Sequence, residues 1–211
     1  MPLLKEWNIG NHGRGVIWKI EEPEAFFREQ VSVETDISNE RRRTEHLAGR
    51  FLLKFLDAEF PLHQIVKDEH DKPRLPDEFY FFSISHSWPY VAAVIDPIEE
   101  AGIDIQTYHP NIGNIQHKYL SAEEQLLFDN DPKLLTLAWS AKEAVYKWNG
   151  KRGVDFIGHL PIDVFDNNTP KKNIIIYFKS KKMPKMVLVE NVITDEFTCT
   201  YVSHAQDWAI Y

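Results

Sequence analysis

Residues 139–148, WSAKEAVYKW, late in a run of helical period, constrain the fold more tightly than any other stretch of this 211-residue chain. Leu134, Leu135, Ala138, Ala141, Val145 and Trp148 recur at helical spacings, the pattern of an amphipathic helix with one face toward a core. Both ends are marked. Asp131 is an N-cap residue, Pro132 follows at the one helical position where proline costs nothing, and Asn149-Gly150 supplies a stop. Glu143 and Lys147 are four apart and share a face, with Lys142 beside them. Taken alone they read as a surface ion pair worth about 0.5 kcal/mol. A chemical role needs a second group elsewhere in the chain.

The segments before this helix supply candidates. Gly15–Ile20 reads as a strand, and Glu21–Gln30 as a short helix opened by Pro23. A longer helix is expected from about Ser38 to Phe60, where His46, Leu47, Phe51, Leu52, Phe55 and Leu56 keep helical period. Arg41, Arg42, Arg43 and Arg50 crowd its first half. They form either a solvated face or, because arginines near a helix start oppose the helix dipole, a site repaid by a bound anion. Residues 61–78 read as an extended loop. Two aromatic and β-branched runs follow, Phe79–Ile84 and Tyr90–Ile95, and Ser85-His86-Ser87-Trp88-Pro89 between them predicts a hairpin with a loop rather than a two-residue turn. That loop offers hydroxyls, backbone N–H groups and an imidazole to a phosphate, or is an ordinary polar turn.

After the boundary signal at Pro97, Gly102-Ile103-Asp104-Ile105-Gln106 alternates as a strand should, with Asp104 and Gln106 on one face. An aspartate in mid-strand is anomalous, since aspartate is depleted there. Strand-like runs recur at Asn173–Phe178, Met186–Val192 and Phe197–Val202. Lys171, Lys172, Lys179, Lys181, Lys182 and Lys185 make a basic stretch that is either solvated or a rim for an acidic partner.

Composition excludes several classes. A formal charge of -8 argues against nucleic-acid binding, and 43% hydrophobic residues suffice for an ordinary core in one large domain or two small ones. No apolar run is long enough to span a membrane, and MPLLKEWNIG lacks the features of a signal peptide, so a cytoplasmic location is expected. The single cysteine, Cys199, excludes an internal disulfide and any multi-cysteine metal site. It lies in an alternating run and reads as a packed strand residue.

Three motifs, FSISHS at 82–87, GIDIQ at 102–106 and WSAKEAVYK at 139–147, in this order and at these separations, resemble the 4'-phosphopantetheinyl transferase superfamily. More narrowly they resemble its surfactin-synthetase-activating type. The resemblance spans roughly residues 40–160. It implies an α+β fold of two similar halves in one monomeric chain, 1–97 and 98–211, related by pseudo-two-fold symmetry with the active site in the cleft between them. It implies transfer of the phosphopantetheine arm of coenzyme A to a serine of an acidic apo acyl or peptidyl carrier protein, with Mg2+.

The resemblance also implies site residues. Asp104 and Glu143 map onto the metal ligands, which suits a hard cation that takes one or two carboxylates plus phosphate and water. Gln106 stands where this type usually carries a second acid in the strand; either it ligates weakly or water takes its place, and water is expected. Lys147 maps onto the lysine that contacts the phosphates, and Ser85 with His86 onto the loop that holds the 3'-phosphate. Lys72-Pro73 resembles a Gly-Lys-Pro segment lying against the nucleotide, with Asp71 in place of the glycine. Arg41 is the arginine expected at the nucleotide. Glu124 has two readings, general base for the carrier serine or the glutamate of a Ser121-x-x-Glu124 capping box. A coenzyme A binder without catalysis and a metal-dependent phosphohydrolase are the rival functions.

Overall fold

A computed structural model describes residues 2–77, 79–166, 172–180 and 184–207. The chain divides into two compact units, Met1–Ala101 and Gly102–Tyr211. The first carries strands β1 (Leu3–Ile9) and β2 (Gly13–Lys19), helices α1 (Glu24–Val31) and α2 (Glu40–Leu56), a two-residue pairing of β3 (Val66–Lys67) with β4 (Pro73–Arg74), and strands β5 (Phe81–Ser87) and β6 (Tyr90–Asp96). The second carries β7 (Ile103–Thr107), a 3-10 turn at Ile112–Lys118, α3 (Ala122–Leu127), α4 (Pro132–Asn149), β8 (Ile162–Phe165), β9 (Ile174–Phe178), β10 (Lys185–Ile193) and β11 (Phe197–Asp207). Both larger sheets are antiparallel, in the order β1-β2-β6-β5 in the first unit and β7-β11-β10-β9-β8 in the second. Mixed helices and antiparallel sheets are what an α+β chain requires. None of the described helices is long and apolar enough to cross a membrane.

In the first unit α2 lies on the sheet and buries Leu47, Ala48, Leu52, Leu53 and Leu56 against Val16, Phe82, Val91, Ala93 and Ile95. Gly49 presses on Ile84, where an added Cβ would stand 2.8 Å from a side-chain methyl. Helix α2 begins where Asn39 accepts a hydrogen bond from Arg42 N at 3.0 Å. It ends at Leu56 rather than Phe60, because Asp57 leaves the helical conformation and its carboxylate accepts from Glu59 N at 2.9 Å. Phe60 is still buried, in the same core.

The β5–β6 connection corrects the expected loop. Strand β5 runs on to Ser87, which pairs with Tyr90, so a two-residue Trp88-Pro89 turn with a cis peptide bond joins the strands. Ser85 and His86 are therefore strand residues on opposite faces, Ser85 buried and His86 exposed. The extended loop at 61–78 is likewise more ordered than its proline and charge content suggested. The side chain of Asp68 accepts from His70 N at 2.8 Å, Lys72 N at 2.9 Å and Arg74 Nε at 2.7 Å, closing the small β3–β4 hairpin. Asp71 has φ 65° there, the left-handed conformation that glycine adopts freely and aspartate tolerates.

In the second unit α4 packs on its sheet through Leu135, Leu137, Ala138, Ala141 and Val145, against Ile174, Ile176, Val187 and Val189. Its ends are as the sequence predicts. Asp131 accepts from Lys133 N at 2.7 Å, Pro132 opens the helix, and Gly150 closes it with φ 69°. Cys199 is fully buried in β11. Strands β1 and β8, which the sequence reading missed, form edges of the two sheets. Lys171, Lys181 and Lys182 of the basic stretch lie outside the described residues.

Candidate active site

The chain meets α4 at Gly102, the residue that leads into β7. A Cβ there would overlap the Ala144 carbonyl oxygen and stand 2.6 Å from Trp148 Cβ, so only glycine lets the start of the strand lie this close to the helix. Two residues on, Asp104 is 1% exposed, and its groups are held by α4. Ser140 Oγ donates to the Asp104 carbonyl at 3.3 Å, and Lys147 Nζ donates to Asp104 Oδ1 at 2.7 Å. Ser140, Glu143 and Lys147, at spacings of three and four, share one face of α4. Glu143 is thus bracketed by the two residues that touch Asp104.

The electrostatics agree with that placement. Glu143 is pushed up to about 7, by burial first and by the Asp104 carboxylate second, with Lys147 partly offsetting both. The amide nitrogen of Gln106 donates to Asp104 Oδ2 at 3.0 Å. Asp104, Glu143 and Gln106 are therefore brought to one place, and Lys147 is the cation that already meets the buried aspartate. Among the described residues no three His, Cys, Asp or Glu side chains converge as a metal cluster, so the acidic set here is a pair. Two carboxylates with an amide suit a hard cation that keeps phosphate and water as its other ligands, and fit a soft metal poorly.

Lys142 corrects the expected helix face. It stands about 100° around the helix from Glu143 and is completely buried, its amino group donating to Tyr119 O at 2.7 Å, Phe156 O at 3.0 Å and both Glu124 oxygens at 2.9 Å. Burial pulls the Lys142 amino group down from its ordinary range, and Glu124 opposes that. Glu124 is itself buried. Its Oε1 accepts from Ile162 N at 2.6 Å and its Oε2 from Ser121 N at 2.7 Å, while Ser121 Oγ accepts from Glu124 N at 3.1 Å. The capping box is complete, and the same carboxylate neutralises Lys142.

In the first unit the arginines separate by task. Arg43 grips Glu24 of α1 through Nε at 2.8 Å and donates to Ile37 O and Ser38 O, so it ties α1 to α2. Arg41 lies over the Trp88 ring, 5.3 Å from its centroid, with its Nε 3.3 Å from Glu45 Oε1. His86 Nδ1 stands 3.3 Å from Glu45 Oε2. Lys72 Nζ pairs with Glu100 at 2.8 Å, and Arg74 pairs with the same carboxylate at 2.7 Å. Arg41 and His86 thus converge through Glu45, Ser85 lies on the other face of β5, and Lys72 belongs to the Asp68–Arg74–Glu100 network.

Sequence reasoning missed Glu45 and Glu100, and it read Gly102 only as part of a motif and Lys142 only as a neighbour of the Glu143–Lys147 pair. Lys142 was legible, since it falls at the core spacing of Leu135, Ala138 and Val145. Nothing local marked Glu45 or Glu100.

Residues 100–202 match a family model described as the 4'-phosphopantetheinyl transferase superfamily. The match takes in Gly102, Asp104, Gln106, Glu124, Lys142, Glu143 and Lys147. A comparison with curated proteins gave no match.

Proposed function

We propose that this chain transfers 4'-phosphopantetheine from coenzyme A to a serine of an apo carrier protein, releasing adenosine 3',5'-bisphosphate. The observation that carries the proposal is the meeting of Asp104, Glu143 and Lys147 on β7 and α4, inside the segment that matches the superfamily. Asp104 and Glu143 would hold Mg2+, with Gln106 reaching it through water. When bound, the ion supplies Lewis-acid neutralisation of a diphosphate. Lys147 would donate to the phosphate oxygen on which charge develops, its amino group kept in place by Asp104. The serine oxygen forms a bond to the phosphorus of the pantetheine-bearing phosphate, the bond from that phosphorus to the bridging diphosphate oxygen breaks, and the serine proton leaves to water.

Glu124 is assigned to positioning. Its carboxylate accepts from Lys142, Ser121 N and Ile162 N, and it is 5% exposed, so it holds α4 against the rest of its unit. Arg41 and His86 are assigned to the 3'-phosphate, whereas Ser85, buried on the opposite face of β5, and Lys72, paired with Glu100, keep the contacts described above. The partner is an acidic carrier. Lys172, Lys179 and Lys185 belong to the basic stretch that would steer it, and Lys185 also pairs with Asp207 at 3.0 Å. A cytoplasmic monomer completes the reading.

The test is incubation of the protein with coenzyme A, Mg2+ and a panel of apo-carriers, followed by mass spectrometry. One carrier gaining a single phosphopantetheine is the expected result. No gain on any carrier, with coenzyme A bound and intact, would favour the binding protein, a reading to which the neutral Gln106 beside Asp104 lends some weight. Free phosphopantetheine released without a carrier would instead identify a phosphohydrolase.

A further inference from the structure

Glu45 is out of place beside the two side chains assigned above to the 3'-phosphate. It is 4% exposed, and its carboxylate points into the same group of side chains as Arg41 and His86. The neighbourhood is otherwise basic. His46, one residue on, is held down to about 4 by burial and by Arg50, His86 and Lys67. A carboxylate here weakens the attraction for an anion unless it does something else.

Its geometry supplies that second role. The two oxygens are divided between two side chains: Oε1 lies 3.3 Å from Arg41 Nε, and Oε2 lies 3.3 Å from His86 Nδ1. Arg41 comes from the first turn of α2 and His86 from the end of β5, so one buried side chain fixes groups from two elements. Binding Nε of Arg41 leaves the two terminal nitrogens of the guanidinium to face elsewhere, with the plane seated on Trp88. Binding Nδ1 of His86 puts a proton on that nitrogen and directs Nε2 to the opposite side of the ring, as carboxylates do for histidines at metal and catalytic sites.

We infer that Glu45 is a positioning residue, which holds Arg41 and His86 as a two-pronged receptor for the phosphate monoester at the 3' position of the nucleotide. This rests on the function proposed above for the identity of the nucleotide. The receptor itself rests on the contacts of the first unit. A residue that merely sits nearby and a residue that positions its neighbours differ in sign. Neutralising a bystander carboxylate strengthens anion binding, whereas neutralising a positioning carboxylate weakens it, because the two donors lose their alignment.

The experiment is calorimetric binding of adenosine 3',5'-bisphosphate and of adenosine 5'-monophosphate to the full-length protein and to Glu45→Gln, with circular dichroism to verify folding. The wild type is expected to prefer the bisphosphate, and Glu45→Gln to weaken it about tenfold or more, a loss typical of a charge-assisted hydrogen bond. Binding of the monophosphate, which lacks the 3' group, should stay within about twofold, near the scatter expected where no contact is lost. In a His86→Ala background the same substitution should cost much less, since one of the groups it positions is gone. Tighter bisphosphate binding by Glu45→Gln, equal losses for both nucleotides, no loss for either, full additivity with His86→Ala, or a wild type blind to the 3'-phosphate would each overturn the inference. A protein that shows the expected preference yet modifies no carrier would leave the receptor standing and remove the transferase reading.

Discussion

The amino group of Lys142 lies 2.9 Å from both carboxylate oxygens of Glu124, with Lys142 completely buried and Glu124 nearly so. A charge removed from water in this way is costly unless paired and hydrogen-bonded, and here the pair is completed by Tyr119 O, Phe156 O, Ser121 N and Ile162 N. The arrangement fastens α4 to the turn before it and to the segment after it, at the residue adjacent to Glu143.

Removing one partner should therefore be worse than removing both. Lys142→Met is expected to cost about 3–5 kcal/mol in urea unfolding, and adding Glu124→Gln should recover much of that. Glu124→Gln alone should lower the melting temperature while keeping the shape of the pH–rate profile. A fall in rate of about 100-fold or more, with the acidic limb lost, would return Glu124 to the role of general base.

Glu143 gives the metal-free protein a pH dependence of defined sign. Its folded pKa is raised from 4.5 to about 7, so the favourable contribution of the protonated side chain is complete below 4.5 and is lost as pH rises through 7. With chelator present, Glu143→Gln should thus melt roughly 2–5 °C above the wild type at pH 8, the gap closing by pH 4.5. Mg2+ should raise the wild-type melting temperature and leave that of Glu143→Gln unchanged.

His46 acts at the acid side. Its folded pKa is depressed to about 4, first by burial and then by Arg50, His86 and Lys67. The stability tied to its neutral form is present above 6.5 and lost as pH falls through 4, because the unfolded chain takes up the proton first. His46→Gln should flatten the stability profile between pH 6.5 and 4, as measured by denaturant midpoints.

Gly102→Ala drives a methyl into the Ala144 carbonyl, which is backbone and cannot swing aside. A loss of about 1–3 kcal/mol is expected. Activity should fall further than stability explains, because the strand that carries Asp104 must back away from α4.

Gln106→Glu should lower the Mg2+ concentration needed for half-maximal activity, since it offers an anionic oxygen where a neutral amide now donates to Asp104. An unchanged or higher Mg2+ requirement would show that the third position does not reach the ion.

Much of this is legible in the sequence. The caps of α4 follow from Asp131, Pro132 and Gly150, and the alternation of Ile103-Asp104-Ile105-Gln106 places Asp104 and Gln106 together. Such features depend on residues a few positions apart, whose relative placement the helix or strand repeat fixes. The β5–β6 turn was misread because Ser85, His86 and Ser87 carry turn propensity, and pairing with Tyr90, Val91 and Ala92 overrode it.

Sequence alone determined the helix, the strand and the motif residues that each presents. Tertiary structure decided which of those residues meet. Asp104 reaches α4 because a glycine two positions earlier removes a steric barrier, Glu124 is spent on Lys142 because both are withdrawn from water, and Arg41 finds His86 through Glu45. Each outcome depends on burial and on partners distant in sequence or drawn from another element, and neither is encoded in the local pattern that fixes a helix or a strand.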